Sequence, residues 1–147
     1  MARNRTNGKP EKRPLILVVD DDADTRYVVV RALEEAGMRT HAVPSGAAAL
    51  QALLKGPTPS AVVTDLLMPG IDGFVLRAEM LQRTQLAEIP VVVMSSYWRR
   101  PREVLDVAAV VAKPVDLDEL VAAVRGAVTG AQMELAGRPA PSTAPAD

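Results

Sequence analysis

The sequence predicts an α/β domain built on a doubly wound, five-stranded parallel sheet. Three observations carry that expectation. Short β-branched runs alternate with amphipathic stretches along the chain, the pattern of repeated βαβ units. The runs are apolar at successive positions rather than at alternate ones, as strands covered on both faces must be. Acidic, hydroxyl or lysine residues stand just past several runs, where open α/β sheets place their ligand sites. A chain of 147 residues suits one domain of ordinary size, and 48% hydrophobic against 24% charged residues is the balance of a globular protein.

Leu15-Ile16-Leu17-Val18-Val19 reads as the first strand. Asp22 or Asp24 can cap the helix that follows, with Val29, Leu33 and Ala36 on its inner stripe and Gly37 as its stop. Residues 39–43 read as a short edge strand ending at Pro44, with His41, the only histidine, facing solvent. Ser45 starts a second helix that puts Leu50, Leu53 and Leu54 inside and closes at Gly56-Pro57. Strand 60–65 comes next, then Asp72-Gly73 as a turn and the start of a helix to residue 84, with Phe74, Ala78 and Leu81 on one side. Strand 90–95, a polar and basic stretch, strand 108–112 and a last helix over 116–129 complete the pattern. That helix has the cleanest period, with Leu117, Leu120, Val121, Val124 and Val128 on one face.

The ends differ from the middle. Residues 1–13 carry Arg3, Arg5, Lys9, Lys12 and Arg13 against Glu11 and read as a basic disordered arm. With a net charge of −1 overall, the rest is acidic, twelve basic residues against seventeen acidic, so the molecule as a whole is no polyanion binder. The folded domain is expected over 14–130 and a Pro/Ala-rich tail over 131–147. The absence of cysteine excludes disulfides, thiolate metal sites and a cysteine nucleophile, and fits a cytoplasmic protein. No apolar run approaches the roughly 20 residues of a membrane span, and no apolar core follows the basic start to make a secretory signal.

The strand ends carry the chemistry. Strand one ends in Asp20-Asp21-Asp22, strand three in Asp65, strand four in Ser95-Ser96 and strand five in Lys113-Pro114. A strand order of 2-1-3-4-5 would gather all of them on one rim. Crowded carboxylates repel one another, and a hard divalent cation with oxygen ligands, such as Mg²⁺, relieves the repulsion. A lysine and a hydroxyl beside Asp65 would complete a cradle for a phosphoryl group, with Asp65 as the nucleophile.

The motifs VVDDDADTR (residues 18–26), TDLLMPGIDG (64–73), PVVVMSS (90–96) and AKPVD (112–116) resemble the receiver domain of two-component response regulators, from residue 14 to about 128. The resemblance implies a flavodoxin-like fold and Asp65 as phosphoacceptor, taking a phosphoryl group from the phosphohistidine of a sensor histidine kinase or phosphotransfer protein. It implies Mg²⁺ ligated by Asp21, Asp65 and the Leu67 carbonyl, with Asp20 acting through water. Ser95 would follow the phosphoryl group, Lys113 would pair with its oxygen, and the Lys113-Pro114 bond would be cis. Catalysis would be confined to the domain's own phosphorylation and dephosphorylation. Leu67 and Tyr97 would flank the path of the hydrolytic water without orienting it, which implies a long-lived phosphoryl group.

Two departures from the family pattern stand out. Val110 holds the place of the usual switch aromatic, and only 18 positions separate Ser95 from Lys113. The fourth helix is therefore expected to be short or irregular, with Pro101 near its start. With about 18 residues expected beyond the last helix, too few for a DNA-binding or catalytic domain, none is expected. The expectation is a receiver standing alone that signals by docking to a protein target. Val110 favours an alternative, a pseudo-receiver binding module working without phosphate. A haloacid-dehalogenase-type phosphatase, suggested by Asp22-Ala23-Asp24-Thr25, leaves Asp65 unexplained. Arg99, Arg100 and Arg102 read as a solvated loop.

Overall fold

The computed structural model describes residues 12–96 and 106–137. In chain order the elements are β1 (Leu15–Val19), α1 (Ala23–Glu35), β2 (Arg39–Val43), α2 (Gly46–Lys55) and β3 (Ala61–Asp65). There follow α3 (Gly73–Leu81), α4 (Thr84–Ala87), β4 (Val91–Ser95), β5 (Ala109–Ala112) and α5 (Leu117–Gly137). The strands pair in parallel in the order β2-β1-β3-β4-β5, the doubly wound sheet that the alternating pattern predicts and the flavodoxin-like order that the resemblance implies.

Each strand divides its side chains between two cores, because neighbouring residues in a strand point to opposite faces. Leu17, Val19, Val62, Val91 and Val93 face α2, α3 and α4, where Leu53, Leu76, Met80 and Leu86 meet them. Ile16, Val18, Val63, Val92 and Met94 face α1 and α5, where Val29, Leu33, Leu120, Val124 and Val128 complete the second layer. A parallel sheet sealed on both faces leaves only its strand ends open to chemistry.

Several expectations about helix faces need correction. Leu54 is 48% exposed, and Gly46, Ala49 and Leu53 are the buried residues of α2. Phe74 is half-buried, Ala78 and Leu81 are exposed, and the buried face of α3 is Gly73, Leu76, Arg77 and Met80. Leu117 is exposed at the start of α5, and Ala127 joins its buried face. The helix expected to run to residue 84 stops at Leu81, and the separate turn of α4 lets Leu86 drop into the core. The last helix does not stop before Gly130 but continues to Gly137. A helix-interior glycine costs about 1 kcal/mol, which an alanine-rich helix tolerates.

His41 is exposed on the edge strand β2, as expected. The short helix expected between β4 and β5, with Tyr97, Trp98, Arg99, Arg100, Pro101 and Arg102, lies outside the described residues, as do most of the N-terminal arm and residues 138–147. Among the described residues, no helix is long and apolar enough to cross a membrane.

Candidate functional site

The site is assembled by register. β1, β3 and β4 lie side by side, so the residues that end them stand next to one another. Val19 pairs with Thr64, Asp65 with Met94 and Ser95 with Ala112. Asp20, Asp65, Ser95 and Lys113 therefore fall on the same rim, one step beyond the paired positions or at them. The Lys113 N–H donates to the Ser95 carbonyl at 2.9 Å, which carries the ladder one residue past β5. The Lys113-Pro114 bond is cis.

The turn after β1 sorts its three aspartates into different tasks. Asp22 is the N-cap of α1, its carboxylate accepting from the Thr25 backbone N–H and hydroxyl. Those two bonds hold its pKa below the usual carboxylate range. Committed in this way, Asp22 cannot serve as the free nucleophile that a phosphatase reading would require. Asp21 is exposed at the rim. Asp20 is wholly buried, with Oδ1 accepting the Asp22 N–H at 2.9 Å and its own N–H donating to the Val43 carbonyl at 3.3 Å.

Asp65 is buried at the end of β3, and its backbone is held on two sides. The buried Thr64 hydroxyl donates to the Asp65 carbonyl at 2.9 Å. Gly73, at the start of α3, presses against the same carbonyl; a methyl group there would stand 2.8 Å from it. The intervening loop turns at Gly70, whose φ of +76° suits a residue without Cβ. Asp72 then caps α3 by accepting the Val75 N–H at 3.0 Å.

Lys113 is the cation of the site. Its Nζ lies 3.2 Å from Asp65 Oδ2 and 3.5 Å from Asp20 Oδ2. Burial pulls the ammonium pKa down, but the Asp20 and Asp65 carboxylates outweigh it and leave the pKa raised. Burial also raises the pKa of Asp20, against the opposing pull of the Asp22 N–H and Lys113. Asp20 Oδ2 has the ammonium within ion-pair reach yet accepts no hydrogen bond, a buried oxygen left for a further partner. Asp20, Asp21 and Asp65 each offer an oxygen, all within 4.8 Å of one another. Three carboxylates that converge, one of them with an unsatisfied buried oxygen, fit a divalent cation such as Mg²⁺.

The structure thus brings together Asp20, Asp21, Asp65, Ser95 and Lys113 as the sequence predicts. Leu67, two residues beyond Asp65, has an exposed side chain at the rim. Val110 is half-buried and packs into the core on the α3 side. Sequence reasoning passed over two arginines. Arg77 is buried and donates to the carbonyls of Asp106, Ile89 and Ala87. Arg26 donates to the Asp20 carbonyl at 2.7 Å. No periodicity marks such residues, because a basic side chain on a helix is usually solvated.

A doubly wound sheet with a carboxylate cluster and a lysine at its carboxyl rim is the arrangement expected of a receiver domain. A family model for the response regulator receiver domain matches residues 16–125, and the chain belongs to that family, the receivers of two-component systems. The DNA-binding transcriptional regulator NtrC of Escherichia coli is 35% identical over 127 residues, 80% of this chain but 25% of that protein. The chain therefore spans about a quarter of the length of the NtrC relatives it matches. The two-component response regulator ORR3 of Oryza sativa is 38% identical over 91 residues, 62% of this chain and 70% of that protein. Among solved structures, a response regulator receiver protein from Pseudomonas putida superposes with a TM-score of 0.70 at 27% identity, covering 79% of this chain and 98% of that one.

Proposed function

We propose that Asp65 accepts a phosphoryl group from the phosphohistidine of a histidine kinase or phosphotransfer protein. The observation that carries this reading is the convergence of Asp20, Asp21 and Asp65 within 4.8 Å, with Lys113 3.2 Å from Asp65. A carboxylate oxygen of Asp65 attacks phosphorus, the new O–P bond forms as the P–N bond to imidazole breaks, and the imidazole leaves with a proton from solvent. Mg²⁺ would be held by Asp21, Asp65 and the Leu67 carbonyl, with Asp20 through water, and would neutralise the crowded oxygens. Lys113 pairs with the oxygen of Asp65 that is not attacking and then with the phosphoryl group. Ser95, buried beside Asp65 in the next strand, follows the phosphoryl oxygen. The phosphorylated domain signals by docking to a protein target.

The test is intact mass after incubation with acetyl phosphate. The expected result is a gain of about 80 Da in Mg²⁺, lost on chelation and lost in Asp65→Asn. No gain in the unaltered protein, or a gain that survives in D65N, overturns the reading. A pseudo-receiver is the second reading, favoured by Val110 packed into the core where an aromatic switch would turn. Under it the mass gain is absent while binding to a protein partner persists.

A further inference from the structure

We propose that Arg26 is a positioning residue for the acidic pocket, acting through its bond to the Asp20 carbonyl. This rests on the reading of that pocket as a Mg²⁺ site. Three consecutive aspartates in one turn repel each other, and something must keep the turn closed with two of them facing Asp65. The local bonds account for Asp22, which caps α1, and for Asp20 Oδ1, which accepts the Asp22 N–H. The Asp20 carbonyl lies between the end of β1 and the start of α1 and is held by Arg26 instead. Nη1 donates to it at 2.7 Å from one turn into α1, the short distance expected of a charge-assisted bond.

The choice of acceptor is informative. Arg26 sits beside a cluster of carboxylates, yet among the described residues no ion pair involves it; its charge is spent on a carbonyl. The carboxylate oxygens are thereby left to Lys113 and to an incoming cation. Anchored to α1 by its own N–H on the Asp22 carbonyl at 2.9 Å, Arg26 links the helix to the last residue before the site. Outer-sphere partners of this kind typically change metal affinity by tenfold or more, without touching the ion.

Two physical effects predict opposite signs, which makes the role testable. Removing a nearby positive charge should tighten binding of a dication. Removing the tether should weaken it. Calorimetric titration of the full chain with MgCl₂ compares the unaltered protein with Arg26→Gln and Arg26→Lys. The expected result is about tenfold weaker binding in R26Q, partly restored in R26K, with faster amide exchange at Asp22 in R26Q. A purely structural role would lower the melting temperature in chelator and leave the Mg²⁺ affinity of the folded protein unchanged, and that outcome overturns the proposal. So does equal or tighter binding in R26Q. Should R26Q fail to fold, R26K carries the same comparison. If the unaltered protein itself binds no Mg²⁺, the pocket reading and this proposal fall together; if it binds and both variants match it, only the role of Arg26 falls.

Discussion

Asp20→Asn should make the metal-free protein more stable while weakening its response to Mg²⁺. At an effective dielectric of about 20, the 3.5 Å contact with Lys113 attracts the Asp20 carboxylate by about 5 kcal/mol. At the 4.8 Å limit that bounds the three carboxylates, each neighbour repels it by about 3.5 kcal/mol. Asp21 is exposed, so its share is screened, and attraction and repulsion nearly cancel. Burial then decides. Asp20 has no exposed surface, and its pKa is raised chiefly because burial disfavours the charged form. Asn keeps an oxygen for the Asp22 N–H and removes the charge, so the net gain should be about 1–2 kcal/mol, or roughly 4–8 °C in melting temperature. Since the folded-state pKa lies above the unfolded one, the unaltered protein recovers this stability as pH falls through the raised value. The D20N advantage is therefore full above the folded pKa and fades below it. Thermal melts in chelator and in millimolar Mg²⁺, across pH, make the assay. A D20N protein less stable than its parent in chelator, or one that Mg²⁺ stabilises equally well, would refute the reasoning.

Two further substitutions and one lifetime probe other parts of the domain. Gly46→Ala should destabilise the domain by about 1–3 kcal/mol, because a methyl there collides with the Ile71 carbonyl and α2 must shift; urea denaturation measures it. Arg77→Leu should cost about 2–3 kcal/mol by leaving the buried Ile89 carbonyl and its neighbours without a donor, read from the same denaturation curves. Leu67, exposed beside Asp65, offers no group to orient water, so the phosphoryl group should persist for minutes in purified protein. Loss within seconds, followed by mass, would contradict that.

The strands and the site were readable for the same reason. A strand sealed on both faces is an unbroken apolar run, as at Ile16–Val19 and Val91–Met94, and a charged residue ending such a run has no packing explanation. Asp20 and Asp65 were conspicuous on that ground alone. Helix faces were harder. In α3, Phe74, Val75, Leu76, Met80 and Leu81 supply apolar residues to more than one face, so periodicity cannot tell the Leu76–Met80 stripe from the Phe74–Leu81 side. In α2 the core takes Ala49 while the larger Leu54 stays exposed, because position on the helix, not side-chain size, decides burial. The last helix, expected over 116–129, runs on through Gly130 to Gly137, because an interior glycine in an alanine-rich stretch does not break it. Arg26 and Arg77 were invisible because their hydrogen bonds go to carbonyls, which leave no trace in composition or spacing.

The most direct measurement is the chemical address of the phosphate. Protein treated with acetyl phosphate and Mg²⁺ is reduced with borohydride, which converts an aspartyl phosphate to homoserine, and is then mapped by peptide mass. The account expects a peptide about 14 Da lighter, with the change at Asp65 and absent without Mg²⁺. Reduction at Asp20, Asp21 or any other carboxylate, or none at all in protein that has gained phosphate, would contradict it.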